Sequence, residues 1–74
     1  MYTGRIHVNS VRAQECYEVA LTRDMFTPTQ IRNGLKPSAK KYTPENEIKQ
    51  LLEEWVRLGI AERGFNGYTY YLKT

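Results

Sequence analysis

The chain has 74 residues, 41% of them hydrophobic and 26% charged, with a formal net charge of +3. That length implies one domain over residues 1–74 with a modest core. No apolar run approaches the ~20 residues of a membrane helix, and a single cysteine, Cys16, excludes an internal disulfide. The first residues also lack the apolar stretch of a signal peptide, so the expected compartment is the reducing cytoplasm.

Residues 1–8 alternate, with Tyr2, Gly4, Ile6 and Val8 on one face and Thr3, Arg5 and His7 on the other. This pattern predicts an edge strand. Asn9 and Ser10 read as a turn and helix cap. The spacing of Ala13, Cys16, Tyr17 and Ala20 then predicts a first helix over residues 11–22, with Leu21 beside its apolar face. A second helix start follows at Thr27. Thr27 caps, Pro28 takes the first position, and Gln30 completes a capping box. Gly34 and Leu35 close this helix, Ile31 is its core contact, and Met25 and Phe26 staple its entry. Residues 36–42 contain Pro37, Ser38 and three lysines and read as a loop.

The most strongly marked element is a third helix over residues 44–58. Ile48, Leu51, Leu52, Trp55 and Leu58 fall on one stripe. Thr43 is placed to cap it and Pro44 to begin it. Glu45 and Glu47 suit the positive end of the helix dipole, and Arg57 suits the negative end. Gly59 is placed as a left-handed C-cap, with Ile60 folding back on Trp55. Asn66-Gly67 is a strong hairpin signal, because both central residues of a type I′ turn need positive φ. A two-residue turn there pairs Phe65 with Tyr68, Arg63 with Tyr70, Glu62 with Tyr71 and Ala61 with Leu72. The pattern leaves open which face of the hairpin covers the core; Ile60 and Tyr71 are the favoured inward pair.

Charge is unevenly spread. Arg32, Lys36, Lys40 and Lys41 lie within residues 32–42, which contain no acid. The basic excess therefore precedes the third helix, and a pI near 9.2 permits an anionic partner.

The order of elements resembles the winged helix-turn-helix superfamily. Residues 52–63 look like the end of the third helix entering the wing in arsenic-repressor-type and multiple-antibiotic-resistance-type regulators. Asn66-Gly67 followed by Tyr70-Tyr71-Leu72 looks like the wing turn and its return strand, and Thr27-Pro28-Thr29-Gln30-Ile31 is similar to the start of the second helix. The resemblance implies an α+β winged helix of three helices and a C-terminal β-hairpin, with the N-terminal edge strand as an addition. It also implies a small transcriptional regulator or accessory factor that binds double-stranded DNA. The third helix would enter the major groove, with Asn46, Lys49, Gln50, Glu53 and Arg57 outward. Asn46 and Gln50 have the amide chemistry to read adenine, and Lys49 reaches guanine or phosphate. Lys36, Ser38, Lys40 and Lys41 would grip phosphates, and Arg63, Phe65 and Asn66 would be wing contacts.

A second reading is a protein-interaction adaptor, whose acidic third helix and exposed Phe65 anchor a protein partner. A homodimer is a further expectation, through residues 1–8 or the first helix. The tyrosines Tyr68, Tyr70 and Tyr71 read as ordinary strand formers. One histidine and one cysteine do not make a zinc site, so neither metal nor cofactor is expected. No nucleophile–base pair or phosphate-binding glycine loop is evident, which makes an enzyme the least supported class.

Overall fold

The computed structural model describes residues 6–73. In chain order it contains α1 (Val11–Leu21), α2 (Pro28–Gly34), α3 (Pro37–Lys41), α4 (Glu45–Arg57), β1 (Ala61–Arg63) and β2 (Tyr70–Leu72). The class is α+β. Most of the expected N-terminal strand, residues 1–5, lies outside the described residues. Ile6, His7 and Val8 form no strand and run into a turn, in which the Ser10 amide donates to the His7 carbonyl at 3.0 Å.

α1 begins where Ser10 Oγ accepts from the Ala13 amide at 3.1 Å. Its small residues Ala13, Cys16 and Ala20 are buried, which lets its backbone approach the core closely. Tyr17 meets Trp55 edge-on, with ring centroids 5.8 Å apart. Such a contact is worth ~1 kcal/mol beyond the area it buries, and it ties α1 to α4. Burial pushes the Cys16 thiol up to about 11, so it stays protonated and inert at neutral pH. Leu21, expected beside the apolar face, is exposed.

α2 opens on the expected capping box. Thr27 Oγ1 accepts from the Gln30 amide and Gln30 Oε1 accepts from the Thr27 amide, both at 3.1 Å. Ile31 is fully buried. The expected loop at residues 36–42 is instead a helix for most of its length. Pro37 occupies the first turn of α3, where its missing N–H is no loss, and Ala39 turns into the core. This helix also changes the start of α4. Thr43 does not cap it: its hydroxyl is buried and donates to the Ala39 carbonyl at 2.7 Å. Pro44 is the N-cap residue and α4 starts at Glu45, one residue later than expected.

α4 carries the predicted apolar stripe. Ile48, Leu51, Leu52 and Trp55 are buried, while Leu58 lies past the helix end and is half exposed. The stop is a Schellman motif. Gly59 has φ +80°. The Ile60 amide donates to the Trp55 carbonyl at 2.8 Å and the Gly59 amide to the Val56 carbonyl at 3.1 Å.

β1 and β2 pair antiparallel in the expected register, Ala61 with Leu72, Glu62 with Tyr71 and Arg63 with Tyr70. The turn differs from expectation. Asn66 keeps a negative φ, and only Gly67 is left-handed, at +78°. The outermost bond runs from the Gly64 amide to the Thr69 carbonyl at 2.6 Å, and the Gly67 amide donates to the Gly64 carbonyl at 3.1 Å. The loop is thus wider than two residues, and Phe65 and Tyr68 do not pair. The Asn66 side chain makes the positive φ unnecessary at its own position. Its Oδ1 accepts from the Tyr68 and Thr69 amides at 2.9 and 3.2 Å and holds the loop from inside.

The inward face of the hairpin is also the reverse of the favoured one. Ala61 and Tyr70 are buried, and Ile60 and Tyr71 are only partly so. The buried Tyr70 also lies between two backbone partners. Besides facing Arg63, its amide donates to the Phe26 carbonyl at 2.7 Å and its carbonyl accepts from the Phe26 amide at 2.9 Å.

α1 and α2 pack tightly at Gly34. A Cβ there would stand well inside van der Waals contact with Val19 Cγ1, and the β-branched valine is stiff. Although alanine is the better helix former, Gly34→Ala is therefore expected to destabilise the domain by ~1–3 kcal/mol. Combining it with Val19→Ala should cost less than the two single changes added together. Urea unfolding of the four chains of the cycle checks this.

Candidate nucleic-acid interface

The basic segment is held rigidly by two arginines from other helices. Arg12, on α1, donates from Nη1 to the Ala39 carbonyl at 2.6 Å and to Thr43 Oγ1. Arg32, on α2, donates from Nε to the Thr43 carbonyl at 2.9 Å and from Nη2 to the Lys40 carbonyl at 3.2 Å. Within the backbone, the carbonyls at the end of α3 accept only from the amides that close its last turn, Ala39 from Tyr42 and Lys40 from Thr43, and the two guanidinium groups add a further donor to each. Neither arginine is available to a ligand. The lysines, by contrast, project from the segment so fixed. Lys36, Ser38 and Lys41 are exposed and Lys40 is half-buried. Lys41 Nζ lies 5.5 Å from the centre of the exposed Tyr42 ring, a cation–π distance.

α4 divides into two halves along its outer side. In the first half Asn46, Lys49 and Gln50 are exposed and adjacent at helical spacing. Glu47 is turned inward and only 7% exposed, which leaves Glu45 as the exposed carboxylate of the first turn. In the second half the charges are already paired. Arg57 Nε donates to Glu54 at 3.1 Å. Glu53 accepts from Arg63 Nε at 3.2 Å, from Arg63 Nη2 and from the Tyr70 hydroxyl. Lys36, Lys40 and Lys49 take part in no ion pair among the described residues.

The structure thus separates the sequence-predicted contacts into two groups. Lys36, Ser38, Lys40 and Lys41 sit on α3 or at its cap, and Asn46, Lys49 and Gln50 on the part of α4 that follows it directly. On the hairpin, Arg63 is tied to Glu53 and the carbonyl oxygen of the Asn66 side chain is occupied within its own loop. Phe65 is fully exposed. Ile6, His7 and Val8 border a small hollow beside Gln50 and Glu54, so the segment before α1 flanks α4. Sequence reasoning missed Arg12 and Arg32 as supports. Their partners lie 27 and 31 residues away for Arg12, and 8 and 11 for Arg32, with no local pattern to mark them.

Among the described residues no group of three or more His, Cys, Asp and Glu side chains is placed to hold a metal ion, and no helix is long and apolar enough to cross a membrane. Comparison of the chain with protein-family models, curated proteins and solved structures finds no match.

The joint between α4 and the hairpin has a pH signature. The hydrogen bond from Tyr70 holds the Glu53 carboxyl below its ordinary 4.5, with Arg63 acting the same way against partial burial. Burial first, and then the bond to Glu53, push the Tyr70 phenol from 10.0 up to about 12. A depressed acid stabilises the fold above its unfolded value, and that contribution is lost as pH falls below 4.5 and through the folded value. A raised phenol stabilises fully below pH 10, and its contribution declines from there until pH passes about 12. Tyr70→Phe should flatten the alkaline limb and weaken the acid one, and Glu53→Gln should remove the Glu53 share of the acid limb. Denaturant midpoints measured from about pH 3 to about pH 12 test both.

Proposed function

We propose that the chain folds as a winged helix and binds double-stranded DNA, acting as a small transcriptional regulator or accessory factor. The observation that carries this reading is the open stripe of Asn46, Lys49 and Gln50 on α4, directly after the clamped, lysine-bearing α3. In this arrangement the first half of α4 faces base edges in the major groove, where amide side chains pair with adenine. Lys36, Lys40 and Lys41, with the Ser38 hydroxyl, lie against the flanking phosphates. The inward turn of Glu47 supports the reading, since it takes a carboxylate away from the phosphate side. Arg63 and Asn66 serve the hairpin itself, so the hairpin contributes shape rather than free cations.

A second reading, a protein-interaction adaptor, is favoured by one feature, the fully exposed Phe65 on a rigid hairpin. A bulky anchor of this kind suits the centre of a protein interface. The two readings share α4 and differ in the lysines of α3, which only DNA binding uses, and in Phe65, which only the adaptor reading needs.

Fluorescence anisotropy on random-sequence duplex DNA separates them. DNA binding predicts a log affinity that falls linearly with log salt. Lys36→Ala, Lys40→Ala and Lys41→Ala combined should weaken binding to all sequences and reduce the salt slope by about one for each phosphate left without its lysine. Gln50→Ala should instead relax preference at one base position, by ~1–3 kcal/mol. No detectable binding at ~50 mM salt, where electrostatic attraction is strong, would rule the proposal out.

A further inference from the structure

An open groove of about 750 Å³ lies between the C-terminal end of α1 and the hairpin. Leu21, Met25, Phe65 and Leu72 line it, and the first three are large apolar side chains left in water. The tip of Met25 reaches the hairpin: a Cβ at Gly64 would stand 2.8 Å from its Cε. The most exposed large apolar side chain of the described residues, Phe65, stands on its rim. Arg63, already neutralised by Glu53, lines it too, as do Arg23 and Asp24. Both are exposed, and among the described residues neither forms an ion pair.

We infer that this groove is the seat of a second copy of the same chain, in a two-fold dimer where Phe65 of each copy enters the groove of the other. Knob and groove share one rim, so a single two-fold rotation places both insertions in the same contact. This is the self-complementary geometry that an isologous interface requires. The charges point to the same occupant. Two neighbouring residues of opposite sign, brought antiparallel across a two-fold axis, set Arg23 opposite the partner copy's Asp24 and Asp24 opposite its Arg23. The pair sums to zero, so a strongly acidic or basic ligand gains nothing from it, whereas a second copy satisfies all four charges. The surface shares no residue with α3 or α4, so the inference stands apart from the DNA-binding proposal.

Sedimentation equilibrium of the full chain, from micromolar to millimolar concentration, tests it. The expected result is a reversible equilibrium between the 8.7 kDa chain and twice that mass. Phe65→Ser removes two buried rings per dimer and should raise the dissociation constant about a hundredfold or more. Arg23→Asp and Asp24→Arg should each sediment as a monomer with an unchanged circular dichroism spectrum, because each sets like charges opposite one another. An equimolar mixture of these two variants restores both opposite-sign pairs and should regain the dimer mass. A wild-type chain that stays monomeric at millimolar concentration overturns the inference. So does a dimer indifferent to Phe65→Ser, or a mixture no heavier than its components.

Discussion

One residue, Tyr70, holds the two halves of this small fold together. Its main chain pairs with Arg63 on one side and with Phe26 on the other, it is 2% exposed, and its hydroxyl donates to Glu53 on α4. A two-stranded hairpin alone is marginal in water. Here it gains a third backbone partner from the segment entering α2, and it gains a polar tie to the helix that precedes it. The Schellman stop at Gly59 sets the direction in which the chain leaves α4, and Tyr70 fixes where it returns.

The same logic of internal ties decides which charges remain available outside. Arg12 and Arg32 are engaged by carbonyls around the end of α3, and Arg57 and Arg63 by Glu54 and Glu53. What is left on the α3 side of the molecule is a group of lysines and amides that the fold does not use. An arginine's planar fork suits fixed carbonyl and carboxylate partners, while a lysine is a flexible point charge. Around α3 and α4 the arginines serve the fold while Lys36, Lys40 and Lys49 form no ion pair among the described residues, which supports the nucleic-acid reading better than the net charge does. The groove beside the hairpin forms a second surface, apolar in Leu21, Met25, Phe65 and Leu72 but carrying Arg23 and Asp24.

Much of this is legible in the sequence because it is local. The Thr27 capping box, the Gly59 stop, the stripe from Ile48 to Trp55 and the hairpin register each depend on residues within a few positions of one another. The remainder depends on distance. Residues 36–42 look like a loop because proline and three lysines dominate them, and the burial of Ala39 and the ties from Arg12, Arg32 and Thr43 that hold a short helix there are not visible locally. Thr43 looks like a cap because nothing nearby shows that the Ala39 carbonyl takes its hydroxyl. Tyr71 reads as the inward tyrosine because alternation marks two faces without saying which is wet. The partners that Tyr70 meets on the inner side, Phe26 through the backbone and Glu53 through its hydroxyl, lie 44 and 17 positions before it and leave no local mark. For the candidate site, the residue types on α3 and α4 are readable, but the sequence does not show that Arg63 and Asn66 are engaged within the fold.

The central claim, that Tyr70 locks the hairpin to the helices rather than leaving it a loose flap, is tested most directly by native-state hydrogen exchange at single-residue resolution. If the claim holds, the amides of Phe26 and Tyr70 exchange as slowly as those in the middle of α4, in one cooperative step with global unfolding. If instead these two amides exchange at the rate of the exposed loop residues Phe65 and Gly67 while α4 stays protected, the hairpin opens on its own and the lock does not exist.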